Sequence, residues 1–498
     1  MTKEILDRAN VLIGQSRVQE ALLLTQVLVD QPQPSHSALA AHAAALKLLG
    51  KLEEALPFDE QGIARFGQSA VAWHNYAATL GDLGRGAASK AACEKAFALG
   101  LDAAETWGVL ARAELAVGDH DAAEAAYRES LKRAPGNFTV ATEFANVAWM
   151  RRGHLAEAEA VIDACFVAGG PPAPLLLAKA KLIESAGDPG RAADLLGAAA
   201  QTLAREVPVV LSAAQAALEV GRLDEAERLM RQADGLNPEA RSVYNQWAII
   251  HLAAGRPREA LAKARAGLEK HPNDQSLLGW AATAARAAGD PLYGEVCDYE
   301  AMVGVYDIAT PEGWPSLDSF LSDLGKALKK LHLYQQHPSH QSLRQGSQTM
   351  HLLTGSDDPA IQAFFRAADA PIREHMAKLG AGAGPLYGRD TGDYRITGAW
   401  SVRLRPSGFH KDHFHPQGWL SSAFYVETPD AALETDAKEG WIRFGQPPYA
   451  TKPPLPAEHF VKPKPGRLVL FPSYMWHGTV PFTTDEARMT IAFDAIPR

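Results

Sequence analysis

The densest chemistry in the chain is a histidine cluster, His410-Lys-Asp-His-Phe-His415, set between two stretches of strand character. A fourth histidine closes Phe471-Pro-Ser-Tyr-Met-Trp-His477, and Arg488-Met-Thr490 begins eleven residues later. On extended backbone, residues i and i+2 point the same way. A pair at that spacing, joined by a histidine from a neighbouring strand, would occupy one face of a metal octahedron. The opposite face would stay open, which is the ligand logic of non-haem Fe(II) sites. Arg488 stands where a guanidinium could pair bidentately with the far carboxylate of a chelating 2-oxo acid. Thr490 could add a hydroxyl.

Two ligand registers fit these residues. His410 and Asp412 with His477 give two histidines and one carboxylate. His413 and His415 with His477 give three histidines and no carboxylate charge. The second set is expected to bind Fe(II) less tightly.

Short strands must position these groups. Ala399 to Arg405 alternates and is expected to end at Pro406-Ser-Gly408. Trp419 to Val426, Gly440 to Gly445, Gly466 to Phe471 and Arg488 to Ala495 read as further strands. Val303 to Ile308 reads as a strand in the segment before them. With no long helix between the later strands, they suggest a double-sheet jelly roll. Leu317 to His332 carries leucines and phenylalanine at helical spacing and reads as a supporting helix. Ile361 to Leu379 reads as another, with a break or kink at Pro371. Trp400 and Trp419 are expected in the core.

The rest of the chain repeats. Gly50, Gly84, Gly118, Gly153, Gly187, Gly221, Gly255 and Gly289 are spaced by 34 residues, with one step of 35. Five residues after them stand Ala55, Ala123, Ala158, Ala192, Ala226 and Ala260, with Ser89 as the exception; Ser16 and Ala21 hold the same phase. Such a unit is a pair of antiparallel helices. The glycine caps the first in a left-handed conformation. The alanine allows the second to cross closely. Trp73, Trp107 and Tyr244 supply bulk to first helices, and Pro135, Pro238 and Pro272 stop second helices. These marks resemble the tetratricopeptide repeat. The resemblance implies a groove that holds a peptide or protein.

At 498 residues the chain is too long for one ordinary core. Residues 1–295 are read as the repeat solenoid and 296–498 as the jelly roll, an α + β multidomain arrangement. Ten of the 17 histidines lie between His332 and His477. A net charge of −9 and the lack of any Lys/Arg run argue against nucleic acid. No apolar run is long enough to span a membrane, and the first residues lack a signal-peptide pattern. Three scattered cysteines point to a reducing cytoplasm.

Trp400 to Phe409, His413-Phe-His-Pro-Gln-Gly-Trp-Leu-Ser421, Leu470 to His477 and Arg488 to Phe493 together resemble a 2-oxoglutarate/Fe(II) oxygenase family often fused to tetratricopeptide repeats in bacteria. Gln341 to Thr349 resembles it too. The likeness spans roughly residues 300–498. It places the family motif on His413-x-His415 with His477, and it implies Fe(II) and 2-oxoglutarate as cofactors. Arg488 and Thr490 are the expected cosubstrate contacts, and Arg344 and Gln348 are candidates for the pocket wall. The implied activity is hydroxylation of a peptide or protein recruited by the solenoid, with release of carbon dioxide and succinate. Two other readings stand beside it. One is a non-catalytic adaptor with a degenerate oxygenase domain. The other is a three-histidine iron dioxygenase that does not use 2-oxoglutarate.

Overall fold

A computed structural model describes residues 2–350, 352–380, 382, 386–434 and 436–498. The glycine ladder is a ladder of helix ends. All eight glycines have φ between 68° and 95°, a region that a Cβ disfavours. Val207–Glu219 and Leu223–Leu236, for example, flank Gly221. Ser16, in the same phase, is also left-handed at φ 60°. The alanines five residues further on are buried; Ala55, Ala123, Ala158, Ala226 and Ala260 expose no surface at all (0%). His120–Arg133, Leu223–Leu236 and Pro257–Lys270 each end two residues before Pro135, Pro238 and Pro272. The repeats are therefore helix pairs of one kind, a helical solenoid. The last first-helix, Gln275–Ala288, lacks a full-length partner. Two short helices, Leu292–Val296 and Tyr299–Met302, lead from it into the first strand.

Among the described residues, nine strands form the β-domain. They are β1 (Gly304–Asp307), β2 (Leu343–Gln348), β3 (Tyr394–His410), β4 (Leu420–Glu427), β5 (Ile442–Phe444), β6 (His459–Val461), β7 (Arg467–Pro472), β8 (His477–Thr479) and β9 (Arg488–Pro497). Six build a major antiparallel sheet in the order β1-β7-β4-β9-β3-β2, and three build a minor sheet, β6-β5-β8. The two sheets make a jelly-roll-like domain. Helices Leu317–Lys329 and Pro359–Leu379 back the major sheet. Phe320, Leu324, Phe364 and Ile372 bury themselves with Phe424, Leu468, Leu470 and Phe493 in one core.

Two local expectations are corrected. Pro406-Ser-Gly408 does not end the strand, because β3 runs on to His410. Arg344 pairs with Phe409 and Gly346 with Leu404, so the turn residues bulge out and the register resumes. Ser407 takes a left-handed φ of 64° in this bulge, and its N–H donates to Phe482 O at 2.8 Å. A bulge re-aims the chain beyond it, and the chain beyond this one is His410 to His415. Pro371 likewise does not break its helix, which continues over 21 residues.

The chain divides into two compact units, residues 1–144 with 163–170, and 145–162 with 171–498. The second unit combines the later repeats with the β-domain. Leu278 and Ala282 of helix Gln275–Ala288 belong to the core of the sheet. Trp476 Nε1 donates to Thr283 Oγ1 at 2.7 Å, and Arg286 donates to Gly445 O at 2.9 Å. Residues 335–342 lie against the repeats as a strap. Gln335 and Gln336 N–H both donate to Met150 O at 2.9 Å, and Ser185 Oγ donates to Ser339 O at 2.6 Å. This strap delivers Ser342 to the histidine cluster.

Two stability measurements test this fold. A Cβ at Gly221 would meet nothing within 4 Å, so Gly221→Val reads backbone strain alone. It should cost about 1 kcal/mol or more in equilibrium unfolding, whereas Gly221→Asn should be milder. An unchanged unfolding midpoint for Gly221→Val would contradict the left-handed cap. The second concerns His332, His337 and His375, which burial, helped by nearby cations, holds down to about 4. Unfolded, each titrates near about 6.5. Between those values the unfolded chain binds more protons, so stability rises with pH. Their contribution is complete above pH ~6.5 and is lost as pH falls toward ~4. Unfolding midpoints measured from pH 7 to 5 should fall, and His375→Gln should reduce the slope. A flat profile would contradict the neutral burial of these rings.

Candidate metal centre

His413 lies just past the end of β3, His415 two residues further, and His477 opens β8. His413 and His477 form an isolated antiparallel bridge. Each donates its backbone N–H to the other's carbonyl at 2.9 Å. The bridge sets the two ring centroids 4.3 Å apart, with His415 5.1 Å from each. One ring nitrogen from each of the three lies within 4.8 Å of the others.

The ring orientations are set by what each Nδ1 touches. His413 Nδ1 lies 2.8 Å from Lys411 O, and His477 Nδ1 lies 2.9 Å from Met475 O. A carbonyl oxygen only accepts, so Nδ1 carries the proton on both rings. His415 Nδ1 lies 2.6 Å from Asp494 Oδ1 and is held the same way. In His413 and His477 Nε2 is then the unprotonated nitrogen. That is the tautomer a metal needs, fixed by the partner of the other nitrogen. Burial and neighbouring His415 push the His413 ring down to about 3, and burial also holds His477 well below the usual range. Both are neutral at neutral pH, and the donor set suits a divalent transition metal.

The other sequence candidates fall in different places. Gln348, Thr490 and Arg488 line the same cavity as the three histidines, with Trp400 and Ser422. Arg488 is 2% exposed. Its guanidinium lies 4.9 Å from the centre of the Tyr425 ring. Its Nε has no hydrogen-bond partner, and burial lowers its affinity for its proton. Among the described residues, no carboxylate pairs with it. Arg344 stands outside at the mouth. It donates to Gln341 O and Leu343 O at 2.9 and 2.8 Å and lies 3.6 Å from Glu184. His410 lies beside the trio, its Nδ1 3.0 Å from Ser342 Oγ, which is also 3.2 Å from His413 Nε2. Asp412 turns away: Arg443 holds it through two bonds, at 2.9 and 2.6 Å. Trp419 is core as expected, 1% exposed, whereas Trp400 is half-buried and faces the cavity.

Sequence reasoning passed over Ser342, Arg443 and Asp494. Arg443 and Asp494 are ordinary strand residues in sequence, and only the sheet order brings them to the histidines. The distance from Arg488 to Asp494, an even six residues along β9, was the available signal: both face the same side.

Residues 398–494 match the family described as "Putative 2OG-Fe(II) oxygenase". Residues 104–137 match the tetratricopeptide repeat. The chain thus joins tetratricopeptide repeats to a domain similar to 2-oxoglutarate/Fe(II) oxygenases. No curated protein matches the chain. Among solved structures, the APC/C hetero-tetramer Cut9-Hcn1 is similar at 16% identity and a TM-score of 0.34, over 56% of this chain and 55% of that one. The chain spans about half the length of that structure's chain.

The geometry predicts how metal binding responds to substitution. His413→Ala, His415→Ala and His477→Ala should each abolish stoichiometric Fe(II) binding. Asp412→Asn should lower stability, because it strands a half-buried Arg443, yet keep the metal. Metal content after anaerobic loading decides. Loss of metal in Asp412→Asn with retention in His415→Ala would move the ligand set to His410, Asp412 and His477.

Proposed function

We propose that the chain is an Fe(II)- and 2-oxoglutarate-dependent hydroxylase whose substrate is a peptide or protein. One observation carries this reading. A single cavity holds three histidine Nε2 edges and, in its wall, a buried arginine with no carboxylate partner among the described residues. A buried cation without an anion is costly, and a cavity that keeps one is suited to an anionic ligand. Bidentate pairing with a carboxylate is what a guanidinium does best.

In this reading His413, His415 and His477 hold Fe(II), which supplies the oxidising chemistry when bound. The histidines keep Nε2 deprotonated through the bonds made by their Nδ1 atoms. Arg488 binds the far carboxylate of 2-oxoglutarate, with Thr490 beside it on the same strand and the same side. The Tyr425 ring lies under the guanidinium, 4.9 Å from its centre. Phe471, Ile442 and Val402 help line the cavity and limit water around it.

The mouth of this cavity supports the substrate class. It is walled by the repeats within the second unit: Lys181, Gln215 and Ile249, spaced by 34 residues and thus one equivalent position in three successive repeats, with Glu184, Glu219 and Trp280. Phe414, Tyr449 and Trp476 face them from the β-domain. A surface that offers charges, an amide and aromatic rings in succession suits a polypeptide segment better than a single small molecule.

Arg488→Ala tests the cosubstrate. It should raise the 2-oxoglutarate dissociation constant on the order of 30-fold or more, while Fe(II) content stays at one per chain. Arg488→Lys should recover only part of the loss, since an ammonium cannot form the two-bond fork. Equal 2-oxoglutarate affinity in wild type and Arg488→Ala, with a lowered melting temperature, would make Arg488 a purely structural residue.

A further inference from the structure

Asp494 occupies an unusual position for a carboxylate on an inner strand. It lies on β9 opposite Ser421 of β4. Its Oδ1 accepts two short hydrogen bonds, from His415 Nδ1 and from Ser421 Oγ, both at 2.6 Å. Ser421 Oγ lies 2.8 Å from Ser473 Oγ. The carbonyl of Ser473 accepts the backbone N–H of His415 at 2.8 Å. Carboxylate, ring and ligand backbone thus form one closed loop across β4, β9 and the turn after β7. The segment before β4 leaves room for that turn: a Cβ at Gly418 would collide with Ser473 Oγ. Among the described residues, no lysine or arginine pairs with Asp494; its ring partner is His415.

The three rings are not equivalent. His413 and His477 lean on backbone carbonyls, and His415 leans on a carboxylate. A histidine backed by a carboxylate is the more basic ligand and is locked in one tautomer and orientation. A set of three imidazoles lacks the carboxylate of the commoner two-histidine arrangement. Asp494 returns that charge one ring further out. We propose that Asp494 is the positioning residue of the metal centre: it orients His415, fixes its proton on Nδ1 and supplies the negative charge that the ligand set itself omits. This inference rests on the assignment of His413, His415 and His477 as metal ligands.

The test uses the full-length protein, stripped by a chelator and titrated with Co(II) as the probe. Asp494→Asn keeps an acceptor oxygen and removes the charge; Asp494→Ala removes both. Asn should weaken Co(II) binding by roughly 10- to 100-fold, and Ala by at least as much. Ser421→Ala, which frees the carboxylate on one side, should weaken it less. In the Co(II) protein each bound ring should show one shifted, exchangeable Nδ1 proton. Asp494→Ala should lose the one from His415 to fast exchange and keep the other two. Should the Ala variant fail to fold, the Asn and Ser421 variants still decide. Equal Co(II) affinity in wild type and Asp494→Asn, with only a lowered melting temperature, overturns the role of Asp494 and leaves the metal centre standing. Absence of Co(II) binding by wild type overturns the metal centre and this inference with it.

Discussion

The reciprocal backbone pairing of His413 and His477 is the contact on which the rest of the site depends. It joins the segment after β3 to the first residue of β8, so two distant parts of the chain meet at two of the three clustered histidines. With the pair fixed, the period-two geometry of extended chain brings His415 to the same side. The paired strands also bury the rings. Phe471 packs against His477 at 4.6 Å between centroids and Phe444 at 6.5 Å. Burial keeps these imidazoles neutral, and the carbonyls of Lys411 and Met475 decide which nitrogen faces the cavity. The geometry of the histidine cluster is thus a consequence of backbone pairing, with side-chain partners refining it.

A second constraint comes from the repeats. The last helix of the solenoid shares its apolar face with the β-domain, and the strap before β2 is tied to two repeats through backbone carbonyls and buried donors. The later repeats therefore serve as structural support for the site and as one wall of its mouth. This differs from a flexible fusion, in which a recruiting module would hold its ligand at a distance.

Much of this was legible in the sequence, for definite reasons. The glycine ladder was readable because a left-handed cap tolerates few other residues, and the position five residues on was readable because a close helix crossing tolerates only small ones. The strands carrying Trp400, Phe424 and Leu468 were readable from alternation and turn residues. What escaped was set by tertiary pairing. β2 carries a polar sequence, Leu-Arg-Gln-Gly-Ser-Gln, and is a strand because β3 offers it an edge. Pro406-Ser-Gly408 has the composition of a turn, yet its neighbours stay paired and it becomes a bulge. The choice between ligand registers could not be read from spacing, since Asp412 and His415 are equally good ligands on paper. Arg443, 31 residues away from Asp412, engages that carboxylate, and Asp494 stands behind His415. Neither partner has a local signature.

In the proposed function one cavity would bind a divalent metal and a 2-oxo acid together, the first on three histidines and the second on metal and Arg488 at once. The most direct measurement is a calorimetric titration of 2-oxoglutarate, without oxygen, into the full-length protein in metal-free form and again in the presence of Mn(II). One site per chain is expected in the metal-loaded protein, with far weaker binding when the metal is absent, because the arginine alone supplies only part of the contact. Equal binding with and without the metal, or no binding in either state, would contradict it.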